Sequence, residues 1–179
     1  HRDLHSFPTR RSSDLKDTVY PVIYLTDSYR AFSIMKGCVE LFTIPALLIP
    51  EVILVGVGYG GHEEKALLRW STGRTRDLTP VKNAATEAGM KNNIARAGIT
   101  GVEVTTGGAP VFLDVLKKEL IPFIESNYRI DRKSRMLAGY SFGGLFGLYV
   151  LFHDPGLFDK YFIGSPSISY GDAVVFRDE

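Results

Sequence analysis

The chain has 179 residues, of which 45% are hydrophobic and 23% charged, and its formal net charge is +1. These values are typical of one globular domain, and they argue against nucleic acid or an anionic membrane surface as a partner. The single cysteine excludes an internal disulfide framework, no Cys/His spacing indicates a metal site, and the apolar runs are too short to span a bilayer.

Residues 1–15, HRDLHSFPTRRSSDL, are rich in arginine and serine and show no apolar period. The string resembles, codon by codon, the translation of a common sequencing-library adapter. We therefore expect this segment to be non-native and to carry no function. Residues 16–179 are then expected to form one incomplete domain from a longer gene.

The next segments alternate between strand and helix patterns. β-branched and aromatic residues predict a strand over 18–26, and a helix pattern follows over 29–42, where Cys38 is expected to be buried. The continuous apolar run over 51–59 is typical of a strand buried on both faces of a parallel sheet. Residues 60–109 are glycine-rich and charged without a clear period, which predicts a long functional loop.

The second half of the chain continues this alternation. An amphipathic helix is predicted over 111–128, with a kink at Pro122 because proline removes a backbone donor and crowds the preceding turn. A strand over 135–140, a helix over 142–153 and a further strand over 161–167 follow. This order predicts an α/β fold with a mainly parallel sheet flanked by helices.

The stretch GYSFGG, residues 139–144, places a serine where the predicted strand meets the predicted helix. Such a turn exposes a serine hydroxyl at the carboxyl edge of a sheet, and Gly139 and Gly143 permit the close backbone approach that it needs. The amide of Phe142, at the helix N-terminus, can donate to an oxyanion. We interpret Ser141 as a nucleophile; the alternative is that the glycines serve close packing alone.

Several segments lie in an order typical of one enzyme family. They are YPVIYLTDSY, ILVGVGY, RTRDLTP, GGAPVFLDVLKKELIPFIESNYRID and LAGYSFGGLFGLYVLFHDPGLFDKYFIGSPS. This order resembles the putative-esterase branch of the α/β-hydrolase superfamily, which includes siderophore (enterochelin-type) esterases. The resemblance implies a partial α/β-hydrolase fold that lacks N-terminal and C-terminal strands. It also implies cleavage of a small-molecule ester through an acyl-enzyme at Ser141, without a metal or an organic cofactor.

The same resemblance bears on the oxyanion hole. One donor would be the amide of Phe142. The second should come from the loop after the first predicted strand, where the sequence is TDSY. Ser28 stands there in place of the family's usual glycine, so either Ser28 or Tyr29 is the expected donor.

The substrate pocket has four candidate residues by the same resemblance. Asp27 lies in the oxyanion loop, and Arg74, Arg76 and His62 lie in the long 60–109 segment. The arginines are suited to an anionic or polyhydroxylated substrate, with ion pairing inside the loop as the alternative. His62 could line the pocket or be a solvated loop residue.

A serine nucleophile needs a general base within hydrogen-bond reach, and the base needs an orienting acid. The only histidine after Ser141 is His153. At about 1.5 Å of rise per residue it lies far along the helix, so we expect it to cap that helix instead. Asp172 and Asp178 are candidates for the acid, although the acid of this superfamily usually follows one strand later. We expect the acid and the base to lie beyond Glu179, where the superfamily order would place them.

Two other functions fit the same pattern. Acyl transfer to a sugar or alcohol acceptor would use the same nucleophile and differ only in what attacks the acyl-enzyme. A relative without catalytic activity could keep the fold as a binding module. Neither alternative is separated from ester hydrolysis by the residues alone.

Overall fold

A four-stranded parallel sheet forms the centre of the protein, with the strand order β2-β1-β3-β4. The computed structural model describes residues 18–43, 48–60 and 66–177. The predicted α/β fold with a mainly parallel sheet is confirmed. The strands are β1 (Tyr20–Leu25), β2 (Ile53–Gly56), β3 (Ile130–Tyr140) and β4 (Lys160–Gly164).

Six α-helices lie in the described ranges. The predicted helix over 142–153 is observed with the same bounds, and the helix predicted over 29–42 extends by one residue at each end. The helices are α1 (Ser28–Thr43), α2 (Ala66–Asp77), α3 (Ala84–Arg96), α4 (Ala109–Val115), α5 (Ile121–Asn127) and α6 (Phe142–His153).

The long loop predicted over 60–109 is wrong, because α2 and α3 occupy much of it. The buried residues of α2 are Gly73 and Thr75, so the helix has no apolar stripe that a periodic pattern could reveal. Helix α3 buries only Ile94. It begins at Asn83, whose side chain accepts a hydrogen bond from the Thr86 amide at 2.9 Å, a standard N-cap.

The predicted kink at Pro122 takes the form of a π-helical turn over Leu116–Leu120, between α4 and α5. The amide of Ile121 donates to the carbonyl of Leu116, five residues earlier. Proline has no N–H to donate, and its ring crowds the preceding turn of a regular α-helix. The wider π-helical turn before Pro122 avoids both problems.

The core lies between the sheet and helices α4 to α6, where Tyr24, Leu137 and Phe146 are almost fully excluded from solvent. Helix α1, which contacts β1 and β2, has no buried residue. Cys38 is therefore exposed, and the prediction that it would be buried is wrong. No helix in the described ranges has the length and apolar character needed to cross a membrane.

Tyr24 gives the fold a testable alkaline sensitivity. Its hydroxyl is buried without a hydrogen-bond partner among the described residues, and burial raises its pKa to about 12. An unfolded tyrosine titrates near 10, so the unfolded chain loses this proton first and stability should fall as pH rises from about 10 to 12.

We expect Tyr24→Phe to be at least as stable as the parent at pH 7, and to lose less stability between about pH 10 and 12. Urea unfolding at several pH values measures both effects, with the exposed Tyr140→Phe as control; an unchanged alkaline profile for Tyr24→Phe would contradict the prediction.

Candidate active site

Ser141 forms the turn between β3 and α6 with φ 59° and ψ −114°. A positive φ in a residue other than glycine is strained by about 1–3 kcal/mol and persists only where its surroundings hold it. Here the Ser141 amide donates to the Gly164 carbonyl at 3.0 Å. The Ser141 carbonyl accepts from the amides of Leu145 at 2.9 Å and Ser167 at 3.1 Å. Backbone hydrogen bonds thus fix the turn that presents the serine hydroxyl.

The two glycines beside this turn, Gly139 and Gly143, lie where neighbouring atoms leave no room for a Cβ. A Cβ on Gly139 would collide with the Gly143 backbone and lie 2.6 Å from the Thr26 hydroxyl. A Cβ on Gly143 would collide with the same hydroxyl and lie 3.2 Å from a carboxylate oxygen of Asp27. Thr26 itself donates to the Ala138 carbonyl at 3.2 Å, a role that sequence analysis missed. The end of β1 therefore packs directly against the serine turn.

Two of the three amides predicted as oxyanion donors make no backbone hydrogen bond within the described ranges. Phe142 is the first residue of α6, and its amide makes no backbone hydrogen bond with the described residues. The Ser28 amide donates to the Val57 carbonyl at 3.3 Å, so that amide is already engaged. The Tyr29 amide makes no backbone hydrogen bond within the described ranges. Of the two residues expected from the first loop, Tyr29 is the one whose amide is open.

Asp27 and Arg74 are bound to each other. The Arg74 Nε donates to Asp27 Oδ1 at 2.7 Å and an Nη donates to Oδ2 at 2.9 Å. The Trp70 indole N–H also donates to Oδ1, at 3.2 Å. Only 12% of the arginine side chain and 10% of the aspartate side chain are exposed, so the pair is largely shielded from solvent. The arrangement commits both groups to a structural contact beside the serine turn.

Arg76, the other arginine among the pocket candidates, has a different partner. Arg76 is on the last turn of α2, not in a loop, and its guanidinium bonds Asp77 at 2.6 Å and 2.9 Å. The hydrogen bond that Arg76 donates to this carboxylate raises the pKa of Arg76 above its ordinary value. His62 lies outside the described residues.

An open pocket of about 370 Å³ lies beside the serine turn. The hydroxyl of Ser167 is 3.3 Å from the hydroxyl of Ser141, so the two can share a hydrogen bond. The wall is rich in hydroxyl and amide groups, most of which sequence analysis did not single out. The pocket is lined by Asn83, Thr86, Phe142, Ser167, Ser169, Tyr170 and Gly171, and by the carboxylate-bearing Asp172.

No histidine of the described ranges reaches the serine. His153 lies at the far end of α6, where its Nδ1 is 2.9 Å from the Tyr149 carbonyl and its ring is 4.0 Å from the Tyr149 ring. Asp172 is 95% exposed and sits 4.0 Å from Arg177. No group of three His, Cys, Asp or Glu side chains in the described part of the chain could hold a metal ion.

The chain is similar in sequence to known proteins. Residues 13–174 match the sequence model of the family described as Putative esterase. The chain belongs to this family. The ferri-bacillibactin esterase BesA of Bacillus subtilis strain 168 is 33% identical, over 99% of this chain and 58% of that protein. The siderophore triacetylfusarinine C esterase of Aspergillus fumigatus is 27% identical, over 88% of this chain and 48% of that protein.

Solved structures of other proteins superpose on this chain. The BES protein from Bacillus cereus superposes with a TM-score of 0.74 at 31% identity, covering 97% of this chain and 58% of that chain. Siderophore hydrolase EstA from Aspergillus nidulans superposes with a TM-score of 0.70 at 25% identity, covering 91% and 52%. The expected partial α/β-hydrolase fold is confirmed. The sequence spans about half the length of these relatives.

Proposed function

We propose that the protein carrying this sequence is a serine esterase that cleaves a carboxylic ester of the siderophore type. The observation that carries the proposal is the strained Ser141 turn, with the unengaged Phe142 amide beside it. A positive φ at a serine between a parallel strand and a helix is the geometry of a nucleophile elbow. The siderophore esters that the relatives are named for suggest the class of substrate.

The reaction would proceed through an acyl-enzyme. The Ser141 Oγ attacks the ester carbonyl carbon while its proton passes to a general base. The amides of Phe142 and Tyr29 would donate to the oxyanion as the tetrahedral intermediate forms. The carbon–oxygen bond to the leaving alkoxide then breaks, and the base returns the proton to it as an alcohol. Water attacks the acyl-serine next, releasing the carboxylic acid and restoring the serine hydroxyl.

The pocket next to the serine suits a hydrogen-bonding part of the substrate. Its hydroxyl and amide groups can exchange donors and acceptors with amide or hydroxyl groups on an ester ligand. Ser167 can also hold the Ser141 hydroxyl in place between turnovers, since the two oxygens are 3.3 Å apart.

We further propose that the general base and its acid are encoded after the codon for Glu179. Two facts support this: His153 is held at the wrong end of α6, and the chain spans about half the length of its relatives. Reading the parent gene onward tests it. A strand ending in Asp or Glu, followed by a loop with a histidine, is the expected result, whereas an immediate stop codon would overturn the proposal.

Turnover by the complete gene product tests the esterase function. We expect hydrolysis of a siderophore ester and of simple aryl esters, and labelling of Ser141 by a fluorophosphonate, located by mass spectrometry. Transfer of the acyl group to an added alcohol or sugar, in preference to water, would indicate an acyltransferase instead. Absence of both turnover and labelling in a folded protein would indicate a binding module.

A further inference from the structure

We propose that Arg74 is a positioning residue for ester cleavage: its ion pair with Asp27 holds together the two segments that supply the oxyanion donors. The inference rests on the proposed esterase function and deepens it. One of these segments is the turn from β1 into α1, which carries the Tyr29 amide. The other is the first turn of α6, which carries the Phe142 amide.

Asp27 is the point at which the first segment is held. It has φ 58°, so its backbone is in the left-handed region that residues other than glycine occupy only under constraint. Its carbonyl accepts from the amides of Arg30 at 3.1 Å and Ala31 at 3.2 Å, and therefore begins α1. Its carboxylate receives hydrogen bonds from Arg74 and from Trp70. The side-chain bonds thus help to fix the conformation from which the Tyr29 amide projects.

Arg74 also reaches the second segment. Its guanidinium carbon lies 5.1 Å from the centre of the Phe142 ring and 5.0 Å from the centre of the Trp70 ring. Both distances are within the range of a cation–π contact. A carboxylate oxygen of Asp27 also lies 3.2 Å from the position that a Cβ on Gly143 would occupy. One ion pair therefore touches both sides of the predicted oxyanion hole.

Burial of the pair favours positioning over substrate binding. Two guanidinium nitrogens and both carboxylate oxygens are already hydrogen-bonded within the protein, and only about a tenth of either side chain is exposed. Such a group offers little to a ligand. Oxyanion donors act through their placement, and a misplacement of about 1 Å can cost about 10²-fold in rate.

The same helix provides a matched control. Arg76 pairs with Asp77 through the same two kinds of nitrogen, at 2.6 Å and 2.9 Å, but 55% of the Arg76 side chain is exposed. Its replacement removes an Arg–Asp pair of the same geometry from the same turn of α2 and leaves the Asp27 carboxylate bound.

The test compares variants of the complete gene product in steady-state hydrolysis of one ester. We expect Arg74→Ala to lower kcat by about 10²-fold while KM changes little, because the donors act mainly in the transition state. Arg76→Ala should lower kcat much less than Arg74→Ala does, and equal losses in the two variants would overturn the inference. Millimolar guanidinium ion should restore part of kcat in Arg74→Ala and none in Ser141→Ala. Arg74→Lys should recover little, since an ammonium cannot form the bidentate bond. A large rise in KM at unchanged kcat would overturn the inference and make Arg74 a substrate ligand.

A second variant covers the case in which Arg74→Ala fails to fold with a buried, unpaired carboxylate. Asp27→Asn/Arg74→Met removes both charges and keeps side chains of similar volume, and asparagine tolerates a positive φ. We expect it to melt cooperatively and still to show the loss in kcat; a normal kcat in this folded variant would overturn the inference. If Ser141→Ala retains turnover, the esterase proposal fails. If only Ser141→Ala loses turnover and the Arg74 variants do not, the positioning role alone fails.

Discussion

Replacement of Ser141 by alanine is expected to lower kcat/KM for ester hydrolysis by at least about 10³-fold in the complete gene product. Alanine is smaller than serine and can occupy the same positive-φ turn, but it lacks the hydroxyl that we propose as the nucleophile. The residual rate would come from oxyanion binding and substrate orientation alone. Steady-state kinetics on a chromogenic ester measures the loss, and thermal melting checks that the variant is folded.

Ser167→Ala is the control for this prediction. It removes a hydroxyl 3.3 Å from that of Ser141 but leaves the Ser167 amide, which holds the Ser141 carbonyl at 3.1 Å. We expect a much smaller loss than for Ser141→Ala. Comparable losses in the two variants would mean that the hydroxyl pair acts as a unit, and full activity in Ser141→Ala would remove the serine from the mechanism.

The serine turn could be predicted from sequence because its determinants are local. Gly139, Ser141 and Gly143 lie within five positions, and the strand before them and the helix after them have strong apolar patterns. Helix α6 has the predicted bounds for the same reason. In contrast, α2 was hidden because it buries Gly73 and Thr75, two small residues that give no periodic apolar signal.

The partners of the charged residues could not be predicted in the same way. Asp27 and Arg74 are 47 residues apart in sequence, and only the packing of α2 beside the end of β1 brings them together. The sequence RTRD offers two arginines that are equivalent by composition. Arg74 pairs with Asp27 and has 12% of its side chain exposed, whereas Arg76 pairs with Asp77 and has 55% of its side chain exposed. The two arginines differ in their position around the helix and in their burial, and neither motif spacing nor net charge predicts this difference.

Gly139→Ala is expected to destabilise the fold by about 3 kcal/mol or more, a large share of the stability of a domain this size. The new methyl group would collide with the Gly143 backbone, and it would also lie 2.6 Å from the Thr26 hydroxyl. The Thr26 side chain could rotate away from the new methyl group. The Gly143 backbone lies in the first turn of α6 and can move away only if the serine turn moves with it. The loss should therefore appear both in urea unfolding and in fluorophosphonate labelling of Ser141.

Gly89→Ala gives the opposite expectation for the same chemical change. Gly89 lies inside α3, and a Cβ there meets no atom within 4 Å. Alanine should raise the free energy of unfolding by about 0.5–1 kcal/mol, because it restricts the unfolded chain and favours the helix. Opposite signs in the two variants would locate the constraint at the contact between β3 and α6. If Gly139→Ala unfolds at the same urea concentration as the parent, the close approach at the serine turn is not a feature of the native protein, and the elbow geometry that supports Ser141 as nucleophile loses its physical basis.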